Sequence, residues 1–263
     1  MMLPNRTTST YFRRYGYSNR VLSLIKRNVT NSDSNNISNN GPTTMSTEKS
    51  HNTTTTTATP RFTGPPIHQM TKEQKQTYDN IIKSRPTTGI SGPFQVWLSV
   101  PKIANPSQEL GKVCRYDTSL SKRESEIIIL LTAAKMKSHT EFDIHASEAL
   151  LAGVENDIII AIKKILQSST TNDDNNVIVF TSDYIKSNVI PLLNKNNNIN
   201  NQREIALVNF VTEMLENYKV SDETYNNTKI ILDDKDEVLV EVISIVGYYM
   251  YVALTLNVFQ IQP

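Results

Sequence analysis

The chain predicts an all-α protein, and three features of the sequence carry that expectation. Ser121 stands three residues before Glu124, the spacing of a helix-opening capping box, and directly ahead of the apolar run Ile127 to Leu131. Thr71 caps the segment TKEQKQTYDNIIKS that it opens, with Glu73 in the first turn, where negative charge suits the helix dipole. The last segment, Val242 to Ile261, holds twenty residues without a charge, long enough for several helical turns.

The elements follow in order. Residues 1–47 read as a segment outside the fold. They are rich in Arg, Ser, Thr and Asn, carry no acid before Asp33, and hold a candidate amphipathic stretch from Tyr11 to Lys26, the pattern of a mitochondrial transit peptide. A secretory signal would need an apolar core longer than Val21 to Ile25, and a disordered tail on a cytoplasmic protein is the alternative. Residues 48–67 read as a disordered linker, since the tract from Asn28 to Pro60, with Thr53 to Thr57 in a row, cannot bury enough apolar surface to order itself.

The folded body is expected from residue 68 to 263. After the Thr71 helix, Arg85 to Gly92 form a turn rich in Pro and Gly, and Phe94 to Val100 a short apolar helix ended before Pro101. Asn105-Pro106 then opens a segment running to Tyr116. The helix begun at Ser121 is followed by a second that closes at Gly153, and Glu155 and Asp157 sit at the start of Ile158 to Leu166. Residues 167–201 contain NDDNN and NKNNNINN around an apolar passage from Val177 to Leu193. They read as an Asn-rich surface insertion whose middle forms a strand-like piece and a helix, at little cost in loop entropy. The uncharged final helix is long enough to span a bilayer, but Gly247 and Asn257 interrupt it, acids precede it and no basic flank follows. Burial at the centre of a bundle or oligomer accounts for it equally well.

Composition excludes some partners. With 263 residues and 38% apolar content the chain can bury one sizeable core. The net charge of +1 hides an asymmetry, because residues 1–47 hold six of the 27 basic residues and one of the 26 acids; the remainder therefore carries 21 against 25, a charge of −4. A mildly acidic body without a basic patch argues against nucleic acid. The single cysteine, Cys114, permits no intramolecular disulfide and reads as a small buried hydrophobe rather than a nucleophile.

Chemistry is suggested by one stretch, Leu120 to Gly153. Glu141 and His145 are four residues apart and project from one helical face, while Glu126 lies early in the preceding helix. A carboxylate beside an imidazole can orient it and raise its basicity, as proton transfer requires; the same spacing also occurs in ordinary solvated pairs. His139 nearby does not make a metal site with them, for these residues carry no ligand motif.

Four segments, SGPFQVWLSVPKIA at Ser91 to Ala104, GKVCRYDTSLSKRESEIIIL at Gly111 to Leu130, TEFDIHASEALLAGV at Thr140 to Val154 and IVGYYMYVALTLNVF at Ile245 to Phe259, together resemble the carboxymuconolactone decarboxylase-like family of the alkylhydroperoxidase D-like superfamily. The resemblance spans Thr71 to Phe259 and implies an alkylhydroperoxidase D-like helical bundle that assembles into trimers or hexamers. The peroxidase branch carries a C-x-x-C ahead of its histidine and an upstream glutamate. Here the histidine falls on His145, the glutamate on Glu126, and the cysteines on Ser138 and Glu141. Neither hydroxyl nor carboxylate can perform disulfide exchange, so thiol peroxidase chemistry at this site is excluded.

What the resemblance leaves is acid/base equipment. It implies a cofactor-free lyase, without metal, acting on a small carboxylated lactone or oxo acid. His145 would deliver a proton, Glu126 or Glu141 would orient it, and Arg115 would grip the substrate carboxylate unless it pairs with Asp117 or Glu124. Trp97, in the GPF motif with Phe94, matches the family's pocket wall, its alternative being core packing; Ser99 stands where the family often has histidine. A binding or scaffold protein that keeps the fold without activity is the second expectation, and a weak peroxidase using Cys114 the third.

Overall fold

The structure is a computed structural model that describes residues 59–85, 89–167, 178–196 and 199–262. The segment at 1–47 read as a transit peptide, the first part of the linker, the stretch 168–177 with its NDDNN tract and residues 197–198 of the second Asn-rich tract lie outside the described residues. Two units are distinguished. One comprises residues 59–84 and 90–263 and holds every helix among the described residues; of the other, Arg85 and Gly89 alone are described, and the Gly89 amide donates to the Arg85 carbonyl at 2.9 Å.

The helices are α1 Lys72–Ser84, α2 Pro93–Trp97, α3 Pro101–Tyr116, α4 Lys122–Lys135, α5 His139–Leu151, α6 Asn156–Gln167, α7 Ser182–Asn188, α8 Ile190–Leu193, α9 Ile199–Asn217, α10 Asp222–Ile231 and α11 Asp236–Phe259, with 3-10 turns at Ile67–Gln69 and Asn194–Asn196. No strand occurs among the described residues, so the all-α expectation stands. Helix α4 is the axis: every residue from Glu124 to Ala134 is buried, and α5, α6, α9 and α11 pack around it.

Local signals explain the starts. Ser121 Oγ accepts from the Glu124 amide at 3.2 Å and Glu124 Oε2 accepts from the Ser121 amide at 2.7 Å, which closes the capping box. The other Glu124 oxygen receives Arg203 Nε at 2.6 Å, so the cap of α4 also anchors α9. Thr71 makes a second box with Gln74. Gly153 follows α5 at φ 85°, a conformation that only glycine adopts without strain.

Four local expectations need correction. The short helix expected at Phe94 to Val100 does end before Pro101, as α2, but the segment expected to open at Asn105-Pro106 begins four residues earlier. Pro101 instead opens α3, where its missing N–H belongs to the unpaired first turn, and Pro106 is carried inside that helix. One lost backbone bond is outweighed there by the buried face of Ala104, Gln108, Gly111 and Cys114. The linker expected through residue 67 is ordered from 59 onward, since Arg61 binds the Phe259 and Val258 carbonyls at 2.9 and 3.1 Å and Phe62 packs on Phe259.

The insertion's middle is not a surface piece. Phe180, Ile185, Val189 and Leu193 are buried in the core, and the Tyr184 hydroxyl donates to the Ala161 carbonyl at 2.8 Å. The fourfold spacing of Ile185, Val189 and Leu193 is the reason, since it turns one apolar stripe toward α6 and α9. Of the strand-like piece and helix expected within Val177 to Leu193, residues 178–193 show no strand: 178–180 have no regular structure, and α7 and α8 follow.

Helix α11 carries the most unusual surface. Its inner face, from Val238 to Leu256, is buried, and 56% of its most apolar window is inside the protein. On the outer face Val240, Ile243, Tyr251, Leu254 and Val258 are exposed, with Gly247 among them, at steps of three or four residues. Beside it α3 exposes Ile103, Leu110 and Val113, and at Gly111 the two helices approach so closely that a Cβ would lie 2.1 Å from the Tyr248 hydroxyl.

Candidate acid/base site

Helices α4 and α5 leave each other through a tight turn in which Lys137 takes φ 52° and the Ser138 amide reaches back to the Ala133 carbonyl at 3.0 Å. That reversal sets α5 antiparallel to α4 and brings residues 19 apart in sequence side by side. His145 Nδ1 lies 2.6 Å from Glu126 Oε2, and His145 Nε2 lies 3.1 Å from Glu141 Oε1. The imidazole is therefore held between two carboxylates, one from each helix. Glu126 is 0%, His145 2% and Glu141 4% exposed, so solvent does not compete for these contacts.

Charge balance follows from the burial. Desolvation alone would drive His145 toward its neutral form, but the Glu126 charge and the bonds to both carboxylates outweigh it and raise the pKa to about 9. Glu126, which burial would push toward the acid form, is held down near 2 by the imidazolium and by Lys122. The Lys122 ammonium, one turn earlier on α4, stands 2.7 Å from Glu126 Oε1 at an angle poor for a hydrogen bond. At neutral pH His145 is a cation that donates from both nitrogens, poised as an acid rather than as a free base.

Tyr249 of α11 packs edge-on to the imidazole with ring centroids 4.9 Å apart, and burial raises its pKa well above that of a free phenol. Arg115 of α3 enters from another side. It pairs with Glu148 at 3.4 Å rather than with Asp117 or Glu124, the partners weighed as the alternative to a substrate carboxylate, because Glu148 lies one turn beyond His145 on α5 while Asp117 and Glu124 lie beyond the end of α3. Its Nε is buried without an acceptor, and the Tyr249, Glu148 and Glu126 charges raise its pKa further against the burial that would lower it.

Trp97 is brought near the trio only through other rings. It stacks on Tyr251 at 4.5 Å and meets Tyr248 edge-on, and Tyr248 in turn meets Tyr249. The indole N–H donates to Thr255 Oγ1 at 3.1 Å. Trp97 is 5% exposed. Phe94 completes the aromatic group edge-on at 5.4 Å. Ser99 is half-buried, and its hydroxyl oxygen is buried without a hydrogen-bond partner. His139 is exposed and takes no part, and among the described residues no three His, Cys, Asp or Glu side chains are arranged to hold a metal ion.

Two participants were not legible in the sequence. Lys122 has the i, i+4 spacing to Glu126 that could have identified it, whereas Tyr249 gives no signal before α11 is folded against α5. Cys114 is buried and its thiol is pushed up to about 11, which leaves almost no thiolate at neutral pH.

These features define an all-α protein built around a buried carboxylate–imidazole–carboxylate array with an arginine beside it. Comparison of the chain with protein-family models, curated proteins and solved structures gives no match.

Proposed function

We propose that the protein is a carboxymuconolactone decarboxylase-like enzyme, a cofactor-free acid/base lyase acting on a small carboxylated lactone or oxo acid. The observation that carries this reading is the buried array itself: His145 bridged by Glu126 and Glu141 at 2.6 and 3.1 Å. Both imidazole nitrogens are engaged, so the proton reaches substrate by relay. Glu141 exchanges it with the reacting carbon, His145 resupplies Glu141, and Glu126 with Lys122 stabilises the imidazolium. Arg115, whose Nε–H has no acceptor, binds the substrate carboxylate. Departure of CO2 leaves electron density on a conjugated carbonyl, and one proton returned to carbon completes the reaction.

His145→Gln and Glu141→Gln, assayed on a panel of carboxylated lactones and oxo acids, are expected to lower turnover by about two to four orders of magnitude while the fold is kept. Turnover per folded molecule that is unchanged, with a lower melting temperature, would refute the assignment. It would favour the second reading, a scaffold or binding protein in which the array only ties α4 to α5; the depth of its burial is the observation on that side. A third reading, peroxidase activity through Cys114, has the raised thiol pKa against it.

The partner we propose besides the substrate is a second copy of this chain, in a trimer or hexamer, with neither membrane nor nucleic acid involved. The outer stripe of α11 supports it: Val240, Ile243, Gly247, Tyr251, Leu254 and Val258 follow the seam spacing of packed helices, and Gly247 allows a close crossing. Light scattering on the wild type and on Leu254→Glu should give an oligomer and a smaller species. A monomeric wild type would end this part of the reading.

A further inference from the structure

Helices α4 and α5 begin with the same pattern, Ser-x-x-Glu, and only one of them uses it. At α4 the box is closed in both directions. At α5, Ser138 occupies the N-cap with ψ 94° and no cap bond, against ψ 155° at Ser121, whose hydroxyl caps its helix. Glu141, which would complete the second box, is turned away to His145. Ser138 is 0% exposed, and its Oγ has no hydrogen-bond partner.

A buried hydroxyl without a partner costs stability, and the equivalent hydroxyl at Ser121 is satisfied by its cap bond to the Glu124 amide. The first-turn amides of α5 are also without intrahelical acceptors, since the first backbone bond of that helix runs from Phe142 to Ser138. Two kinds of donor thus lie together at the start of a 13-residue helix, the unpartnered N-cap hydroxyl and the first-turn N–H groups, in the same turn as Glu141. Donors left unsatisfied in a dry site beside a proton relay are suited to charge that arrives only with a ligand.

We infer that Ser138 Oγ and the amides of Thr140 and Glu141 form an oxyanion subsite that binds the enolate-like oxygen of a small oxo acid. This rests on the acid/base reading for its chemistry, because loss of CO2 beside a carbonyl puts negative charge on that oxygen. The subsite separates two tasks: Arg115 holds the substrate's carboxylate, and the start of α5 holds the oxygen on which charge develops.

The test uses oxalate, a planar dianion that mimics an enolate, titrated into the full-length protein and followed by amide NMR. Saturable shifts of the Thr140 and Glu141 amides are expected. Ser138→Ala should weaken oxalate about tenfold or more, as loss of a hydrogen bond to a charged group does. Its melting temperature should stay the same or rise, whereas Ser121→Ala, run as the control, should melt lower. Equal affinity in Ser138→Ala, the absence of saturable shifts at Thr140 and Glu141 in the wild type, or a melting drop in Ser138→Ala like that of the control would each overturn the subsite. The two readings fail separately: His145→Gln with undiminished turnover removes the relay and leaves oxalate binding intact, while an oxalate result independent of Ser138 removes the subsite and leaves the relay.

Discussion

Glu126→Gln changes one oxygen for a nitrogen and keeps the volume, yet it removes the charge that His145 meets at 2.6 Å and leaves the Lys122 ammonium facing an amide. In the wild type a rise in the His145 pKa from 6.5 to about 9 corresponds to about 3 kcal/mol of preference for the imidazolium in the fold. For a raised pKa the contribution is present in full below the unfolded value of 6.5 and is lost as pH climbs through about 9. Glu126, lowered from 4.5 to about 2, contributes above 4.5 and loses that contribution as pH falls through 2. Both values describe one interaction and are not added. The pair is therefore at full strength between about pH 4.5 and 6.5. Urea unfolding of the wild type at pH 6 and pH 9.5 should differ by about 2 to 3 kcal/mol from this source. Glu126→Gln should lose most of that difference and be less stable at pH 6 by about 3 kcal/mol, in the range for removing one partner of a buried pair. Imidazole NMR provides the direct check. A wild-type His145 titrating near 6.5, or a Glu126→Gln protein that keeps the full pH dependence, would refute the argument.

Gly111→Ala sets a methyl 2.1 Å from the Tyr248 hydroxyl and 2.3 Å from its ring, so the Tyr248 side chain or the two helices must shift; a loss of about 1 to 3 kcal/mol is expected in thermal or urea unfolding. Cys114 in the folded protein should react with a thiol reagent only at the rate of unfolding, and dithiol-driven hydroperoxide turnover should be negligible; a robust rate abolished by Cys114→Ser would overturn this. Residues 1–47 fused to a fluorescent reporter should direct it to mitochondria, and a diffuse cytosolic signal would count against the targeting proposal.

Much of the candidate site was legible because α-helical spacing is local. Glu141 and His145 share a face by their separation of four, and the Ser121–Glu124 box fixes where α4 begins, hence which side of it Glu126 occupies. The insertion shows where local reading stops. Its Asn-rich flanks read as surface, but the apolar stripe of Ile185, Val189 and Leu193 is a core face whose partners, α6 and α9, are elsewhere in the chain. Pro106 gives the converse lesson, since a residue that ends helices by propensity is carried through one by the packing of its neighbours.

The sequence by itself determined the all-α class, the caps of α1 and α4, and the pairing of Glu141 with His145, because each depends on residues within one or two turns. Tertiary structure alone decided that His145 has a second carboxylate on its other nitrogen, that Arg115 pairs with Glu148, and that the Ser138 box stays open while the Ser121 box closes. The physical reason is desolvation. Whether a carboxylate caps its own helix or bridges to a neighbour depends on which contact survives the loss of water, and that is settled only when α4, α5 and α11 close around it.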